Sequence, residues 1–275
     1  MLRNKRQMVK ASYSLPPIVS QVNGFEIYFL TGQEYIYQTL FCAYSLLSVT
    51  DIRFQFILVD DGSFHEALVN RIYQQMPGVK LVLKNEIIQN LLRDLPEEKY
   101  PYLHHKRKVY PHIKKLTDIH TLPENNYKLV IDSDMLFWNH PSEMISWLKN
   151  PAGCIYMLDK VESYGFNRDL MASLCGHQIP EQLNVGVFGI QSNTINWDDL
   201  EYWSKTLEET EQESYFLEQA LSAMLIANQN PIVLNKNEYI VNPTGLLPCS
   251  GKVKLHHYVD LSKSYYFNTA WKKFI

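Results

Sequence analysis

The stretch KLVIDSDMLFWNH, residues 128–140, decides the fold that the sequence predicts. Its first four residues, Lys128 to Ile131, are typical of the end of a buried strand. Two carboxylates, Asp132 and Asp134, then interrupt an apolar run, where an isolated charge is costly. A divalent cation would resolve this conflict, because Mg²⁺ and Mn²⁺ prefer carboxylate oxygens. The alternative is that both aspartates open a turn or cap a helix, since Asp is favoured at such places.

The composition is that of an ordinary folded protein. Of the 275 residues, 46% are hydrophobic and 20% are charged, so one large domain or two small ones can bury a substantial core. A net charge of −3 gives no reason to expect a nucleic-acid partner. No run approaches the ~18 apolar residues of a membrane span. Widely spaced cysteines fit neither a CxxC metal site nor a small disulfide scaffold, so we expect a reducing compartment, the cytoplasm. They are Cys42, Cys154, Cys175 and Cys249.

The N-terminal segment is rich in basic residues. Arg3, Lys5, Arg6 and Lys10 stand close together, and no apolar segment of a secretory signal follows them. We therefore expect residues 1–22 to form a basic, flexible arm that is able to touch an anionic membrane. Residues 23–275 are expected to form the folded domain.

Strands and helices alternate after this segment. β-rich runs and runs with helical spacing follow one another in order, and Gly or Pro often separates them. The predicted elements are a strand at 25–31, a helix at 35–47, a strand at 54–59, a helix at 65–75 and a strand at 79–83. This order predicts parallel β-α-β units, and therefore an α/β domain with a central, mostly parallel sheet flanked by helices.

Polar residues follow the predicted strands at one edge of this sheet. The segments Thr31–Gln33 and Asp60–Ser63 would lie at the same edge as Asp132 and Asp134. Ligands of open α/β sheets bind beyond the carboxyl ends of the strands, and a nucleotide needs polar groups for its base and ribose. The alternative for residues 59–63, VDDGS, is a plain turn, because Asp-Gly is a strong turn signal.

Three further segments carry candidate site residues. The region 91–123 is strongly basic, and one or two of its charges are candidates to meet a diphosphate while the others are solvated. The strand 184–190, NVGVFGI, contains two glycines that indicate close approach of backbone or ligand. A histidine pair stands in KLHHYVDLSK, residues 254–263. It is either structural or the source of one imidazole ligand, which such a cation accepts.

Several short motifs, taken together, resemble the GT-A-fold glycosyltransferases, and the later half is similar to the retaining family 8 enzymes. The motifs that carry the resemblance stand in the family's order. They are IDSDMLF at 131–137, NVGVFGI at 184–190, Glu218-Gln219, His257-Tyr258 with Lys263, and Lys115 on a helix before the first motif. The chain departs from the family in two places: VDDGS is closer to inverting family 2 enzymes, and the Trp-containing end of the C-terminal motif is missing after Lys263.

The resemblance implies a single Rossmann-like GT-A domain with a D-x-D metal site, and it implies roles for individual residues. The implied ligands of Mn²⁺ or Mg²⁺ are Asp132, Asp134 and His257. The residues implied to bind the nucleotide-sugar are Thr31, Gln33, Asp60, Asp61, Lys115, Asp132, Ser133, Asn184, Gly186 and Lys263. The residues implied to act in catalysis are Glu218, Gln219 and Lys263.

The function expected from the resemblance is metal-dependent transfer of a hexosyl group from a nucleotide-sugar, with UDP-sugar as the favoured donor and retention as the favoured outcome. The acceptor is a glycan, a lipid-linked molecule or a protein. One alternative is a metal-dependent nucleotidyltransferase, but no Gly-rich phosphate loop follows the first strand. A second alternative is a non-catalytic relative that binds nucleotide-sugars.

Overall fold

The computed structural model describes residues 2–244 and 251–275. Within these residues the strands are β1 (Phe25–Thr31), β2 (Phe54–Asp60), β3 (Lys80–Val82), β4 (Tyr127–Ile131), β5 (Met135–Phe137), β6 (Cys154–Leu158), β7 (Leu183–Gln191), β8 (Pro231–Val233), β9 (Tyr239–Val241) and β10 (Leu255–His257). The α-helices are α1 (Leu2–Ser12), α2 (Ile36–Ser48), α3 (Glu66–Gln75), α4 (Lys84–Asp94), α5 (Pro101–Val109), α6 (Lys114–His120), α7 (Ser142–Lys149), α8 (Arg168–Cys175), α9 (Trp197–Glu211), α10 (Leu217–Leu225) and α11 (Ser262–Asn268).

The larger sheet has the strand order β3-β2-β1-β4-β7-β6-β8. Strands β1 to β4 are parallel neighbours, and β8 is parallel to β6. Strand β7 is antiparallel to both β4 and β6, so these two run in the same direction. The carboxyl ends of β1, β2, β4 and β6 therefore lie at the same edge of the sheet. The predicted α/β fold with a mostly parallel sheet is confirmed.

Helices cover both faces of this sheet. Side chains alternate between the faces of a strand, and in β1 Ile27 and Phe29 enter one core while Tyr28 enters the other. Helix α2 packs in the first core, and helices α6, α9 and α10 pack in the second. The sheet is thus buried on both sides, as is usual for strands that run parallel.

A small second sheet continues from the stretch that opened the sequence analysis. Its order is β5-β10-β9, with β10 antiparallel to β5 and parallel to β9. His257, the last residue of β10, lies opposite Met135 at the start of β5. The backbone N–H of Tyr258 then donates to the carbonyl of Asp134 at 2.9 Å. This pairing brings His257 to the D-x-D turn.

The N-terminal segment differs from the flexible arm that we expected. Helix α1 packs against α2 and α11, and Met8 is fully buried in the same core as β1. Ile18 is also buried, and its N–H donates to the carbonyl of Gln75 at 2.8 Å. Burial of such apolar residues holds the segment against the domain, whereas Arg3 and Arg6 are exposed. Among the described helices, none is long and apolar enough to cross a membrane.

Two basic residues of the region 91–123 are held in ion pairs, although we expected most charges of this region to be solvated. Lys106 forms a buried ion pair with Glu208 of α9, with Nζ and Oε2 at 2.9 Å. Arg107 donates two hydrogen bonds to Asp118 of α6, at 2.6 and 2.8 Å. These pairs tie α5 to its neighbouring helices, because an unpaired charge in the interior would be costly. The thiols of Cys42, Cys154 and Cys175 are free, and Cys249 lies outside the described residues.

Candidate functional site

The D-x-D turn and the end of β10 form a cluster of three groups that are able to bind a metal. One ligand atom from each of Asp132, Asp134 and His257 lies within 4.8 Å of the others. The Nε2 atom of His257 is 3.3 Å from Asp134 Oδ1 and 3.6 Å from Asp132 Oδ2. The ring of His257 is buried, whereas both carboxylates are partly exposed. The three donor atoms therefore surround one point, at the place where the core meets the protein surface.

The electrostatics of this cluster favour a positive charge at that point. Burial lowers the pKa of His257, but Asp134 and Asp132 outweigh that effect and leave it raised. Burial raises the pKa of Asp134, yet His257, Lys263 and Lys115 together hold it below its usual value. Two carboxylate oxygens and one imidazole nitrogen suit Mn²⁺ or Mg²⁺. The residues present therefore fit the cation that the resemblance implied.

The imidazole of His257 is held from behind by a hydrogen-bonded chain. Its Nδ1 atom lies 3.0 Å from Oδ1 of Asn184, which also accepts the N–H of Gly186 at 3.0 Å. The amide nitrogen of Asn184 donates to Oδ2 of Asp159 at 3.1 Å. Asn184 is only 4% exposed, so its amide is engaged with protein groups rather than open to solvent.

The two glycines predicted to mark close approach in NVGVFGI do so for different reasons. A Cβ atom at Gly186 would lie 2.5 Å from Nδ1 of His257. A Cβ atom at Gly189 would lie 2.7 Å from both Ile155 and Trp147. Only glycine leaves room at these points. Gly186 therefore makes space for the imidazole, and Gly189 makes space for the core.

Lys115 of α6 lies between two acidic residues. Its Nζ atom is 2.5 Å from Asp132 Oδ1 and 3.8 Å from Glu218 Oε2. Burial lowers the pKa of Lys115, but Asp132 and Glu218 outweigh that effect and leave it raised. Burial raises the pKa of Glu218 to about 7, against the opposing effect of Lys115. This lysine connects the D-x-D turn to α10.

Glu218 and Gln219 lie in the first turn of α10, and both are buried. The backbone N–H of Glu218 donates to the hydroxyl of Tyr110 at 3.3 Å. Gln219 Nε2 donates to the carbonyl of Ser163 at 2.8 Å. These contacts fix the start of α10 next to Lys115 and bring Glu218 near the metal cluster.

Polar groups after β1 and β2 lie at the same edge, as predicted. The hydroxyl of Thr39 lies 2.7 Å from that of Thr31 and 2.8 Å from that of Ser133, so a chain of hydroxyls joins β1 to the D-x-D turn. Asp60 Oδ1 accepts the N–H groups of Gly62 and Phe64 at 2.7 and 3.0 Å. The carboxylate of Asp60 therefore stabilises a turn, which is the alternative that we gave for residues 59–63.

The neighbouring residues of this edge are more open. Asp61 Oδ1 accepts the N–H and the hydroxyl of Ser63, at 3.0 and 2.5 Å. The backbone N–H of Gln33 donates to the hydroxyl of Ser63 at 2.8 Å, and the side chain of Gln33 is exposed. Lys263, in the first turn of α11, is 46% exposed, with its Nζ atom 3.9 Å from Asp134 Oδ2.

Sequence reasoning missed three residues of this arrangement: Thr39, Tyr110 and Asp159. Asp159 directly follows β6, whose carboxyl end lies at the same edge as that of β4. The rule that identified Asp132 at a strand end would have found Asp159 if β6 had been recognised. For Thr39 and Tyr110 the sequence gives no signal, because each contacts the site only through its hydroxyl group.

No protein-family model and no curated protein matches this sequence. Solved structures do match the fold. Mouse xyloside xylosyltransferase 1 aligns with a TM-score of 0.54 and 12% identity over 85% of this chain and 96% of its own. The galactosyltransferase LgtC, in complex with donor and acceptor sugar analogs, aligns with a TM-score of 0.57 and 13% identity over 90% and 93%.

A third match is the bifunctional glycosyltransferase WbbM, with a TM-score of 0.54 and 13% identity over 92% of this chain and 51% of its own. At such low identities, structural similarity establishes the fold and leaves the activity to be argued from the site. The chain has the GT-A fold of these glycosyltransferases, as the resemblance in its sequence predicted.

Proposed function

We propose that this protein is a metal-dependent glycosyltransferase that moves a sugar from a nucleotide-diphosphate sugar, with UDP-sugar as the favoured donor, to an acceptor. The observation that carries the proposal is the cluster of Asp132, Asp134 and His257 at the ligand-binding edge of a GT-A fold. Two lysines, Lys115 and Lys263, flank the cluster and would supply the positive charge that a diphosphate requires.

Asp132, Asp134 and His257 would hold Mn²⁺ or Mg²⁺, which when bound supplies Lewis-acid stabilisation of a diphosphate leaving group. Lys263 would add to this stabilisation, because its partly exposed ammonium group is 3.9 Å from Asp134 and has room to turn towards a bound phosphate. Its contribution would increase as negative charge develops during bond cleavage.

The nucleoside would occupy the edge formed after β1 and β2. Asp61 and the exposed Gln33 would contact base and ribose. Asp60 shapes the turn beneath them, and Thr31 supports Ser133 through the hydroxyl of Thr39.

Glu218 and Gln219 would face the transferred sugar. We propose retention at the anomeric carbon. Inversion needs a carboxylate base beneath the acceptor hydroxyl. Glu218 is held beside Lys115 and Asp61 accepts hydrogen bonds from Ser63, so both carboxylates already have protein partners. Proton NMR of the fresh product tests this: an α-linked product from an α-linked donor supports retention, and a β-linked product refutes it.

The acceptor class is open among glycans, lipid-linked molecules and proteins. The exposed basic residues of α1, Arg3, Arg6 and Lys10, support contact with an anionic membrane surface, because each such residue near the surface contributes about 1 kcal/mol of attraction. Sedimentation with anionic vesicles tests this contact. Function in the cytoplasm remains a prediction.

Thermal unfolding with UDP and Mn²⁺ tests the proposed function. A ligand that binds only the folded state stabilises it by about 2.7 kcal/mol at a concentration 100 times its Kd. We expect UDP to raise the melting temperature when Mn²⁺ is present and to lose this effect in excess EDTA. The Asp134→Ala variant should show no Mn²⁺-dependent shift. An equal shift by UDP in EDTA, or no shift with any nucleoside diphosphate, would contradict the proposal.

A further inference from the structure

We propose that Asp159 and Asn184 are positioning residues that hold His257 as the tautomer protonated at Nδ1, with the lone pair of Nε2 directed at the metal cluster. The inference deepens the proposed function and rests on it for the use of the metal. It assigns Asn184 to the orientation of a metal ligand instead of to contact with the transferred sugar.

The hydrogen bonds of Asn184 determine which way its amide group points. The N–H of Gly186 can only donate, so the atom that it contacts at 3.0 Å must be the amide oxygen. The carboxylate of Asp159 accepts, so the atom 3.1 Å from it must be the amide nitrogen. Two independent partners therefore give the same orientation of the amide.

This orientation decides the tautomer of His257. The oxygen of Asn184 cannot donate a hydrogen bond, so Nδ1 of His257, 3.0 Å away, must carry a proton. A neutral ring then has its lone pair on Nε2, the atom that faces Asp134 and Asp132. That lone pair is available to a metal ion that lies between the two carboxylates, and without such an ion the carboxylates favour a second proton on Nε2.

Asp159 completes the chain and fixes its far end. Its two carboxylate oxygens have different partners: Oδ1 accepts the N–H of Lys160 at 2.7 Å, and Oδ2 accepts the amide of Asn184. The backbone N–H of Asp159 also donates to the carbonyl of Gln182 at 2.6 Å, next to the start of β7. Asp159 and Asn184 are thus anchored to adjacent strands before His257 enters the site from the small sheet.

Partners that orient a ligating histidine commonly contribute on the order of 10–100-fold to metal affinity. We therefore expect Asn184→Ala to weaken Mn²⁺ binding by about that factor. Asn184→Asp should also weaken it, because two carboxylates would then face each other across 3.1 Å. Adding Asp159→Asn to Asn184→Asp should restore binding, since the new amide donates across the same gap and Nδ1 keeps its acceptor.

The first measurement needs no turnover, and it uses a variant only to assign the signal. Long-range proton–nitrogen NMR on metal-free protein with ¹⁵N-labelled histidine reports which ring nitrogen carries the proton. His257 is assigned from the signal that is lost in His257→Gln, and the pH is raised until its ring is neutral. We expect a proton on Nδ1. A proton on Nε2 would overturn the inference.

The second measurement is a titration with Mn²⁺ alone, followed by electron paramagnetic resonance of the free ion. The matched control is Asn90→Ala, which removes a buried amide from α4, away from the site. Weaker binding in Asn184→Ala, restored in the Asn184→Asp, Asp159→Asn double variant and unchanged in the control, supports the inference. Unchanged affinity in Asn184→Ala overturns it.

Failure of the proposed function would give a different result. A protein that consumes no nucleotide-sugar but shows the Nδ1 proton and the expected Mn²⁺ affinities refutes glycosyl transfer and supports this inference. A protein with metal-dependent transfer and full Mn²⁺ affinity in Asn184→Ala refutes only the role of Asn184. A wild-type protein that binds no Mn²⁺ in the titration overturns both.

Discussion

Replacing Gly186 by alanine should damage the metal cluster from inside the sheet. The added methyl group would lie 2.5 Å from Nδ1 and 2.6 Å from Cε1 of His257, whereas ordinary contacts begin at 3.4 Å. The imidazole must therefore move by about 0.9 Å, the difference between these distances. Met135 blocks part of the remaining space, because the same methyl group would also collide with its terminal carbon.

The expected effects on stability and on function differ in size. Overpacking of a well-packed interior costs about 1–3 kcal/mol of unfolding free energy. A displacement of roughly 1 Å in a positioned group can cost on the order of 10²-fold in activity. The movement also lengthens the 3.0 Å hydrogen bond between His257 and Asn184. We expect Gly186→Ala to lower Mn²⁺-dependent UDP affinity by at least about 10-fold.

Gly189→Ala is a matched control in the same strand. Its methyl group would lie 2.7 Å from Ile155 and Trp147, so it overpacks the core to a similar degree without contacting His257. Urea unfolding should show losses of about 1–3 kcal/mol in both variants. Calorimetry with UDP and Mn²⁺ should show weaker binding only in Gly186→Ala. Equal affinity in the two variants would refute the proposed position of His257 as a metal ligand.

Three further variants test other parts of the structure. Burial raises the pKa of Glu218 from 4.5 to about 7, so its favourable contribution is complete below pH 4.5 and is lost as the pH rises to 7. In urea unfolding of the metal-free protein, Glu218→Gln should gain roughly 3 kcal/mol relative to wild type across that range. Lys263→Ala should lower kcat by on the order of 10²–10³-fold and leave donor affinity nearly unchanged, as single-turnover kinetics and calorimetry would show. Glu208→Ala should cost on the order of 3 kcal/mol in urea unfolding, because it removes the 2.9 Å partner of the buried Lys106 and leaves it only Glu213 at 3.5 Å.

Each of these variants has an outcome that contradicts the account. If the unfolding free energies of wild type and Glu218→Gln changed in parallel between pH 4.5 and 7, burial would not raise the pKa of Glu218. Normal turnover in Lys263→Ala would make that lysine a surface residue without a catalytic role. Glu208→Ala has a control in the double variant Lys106→Met, Glu208→Leu, which should recover most of the lost stability. Equal stability of the single and double variants would show that the ion pair is not what holds α5 against α9.

The sequence predicted those parts of the site that depend on local pattern. Two carboxylates in an apolar run can be recognised without a structure, because a charge in such a run needs a partner. Parallel strands place their carboxyl ends at one edge, so the positions of Thr31 and Asp60 relative to Asp132 followed from the alternation of elements. The glycines of NVGVFGI signalled close approach, and Gly186 does meet an imidazole.

The parts that were missed depend on tertiary contacts. Strand β6 is a short apolar run buried on both sides, which periodicity alone does not distinguish from helix, so Asp159 was not seen as a strand-end residue. Strands β5, β9 and β10 have three residues each and exist because they pair with one another. Likewise, α1 carries charges typical of an arm, and only contact with the core shows that Met8 is buried.

Release of nucleoside diphosphate from nucleotide-sugars tests the central claim most directly. The purified protein would be incubated with UDP-, GDP- and dTDP-sugars in Mn²⁺, in excess EDTA, and as the Asp134→Ala variant. We predict that a UDP-sugar is hydrolysed or transferred in Mn²⁺, and that release falls to background in EDTA and in Asp134→Ala. Release that persists undiminished in EDTA and in Asp134→Ala would contradict the account, as would no release from any of the three donor classes.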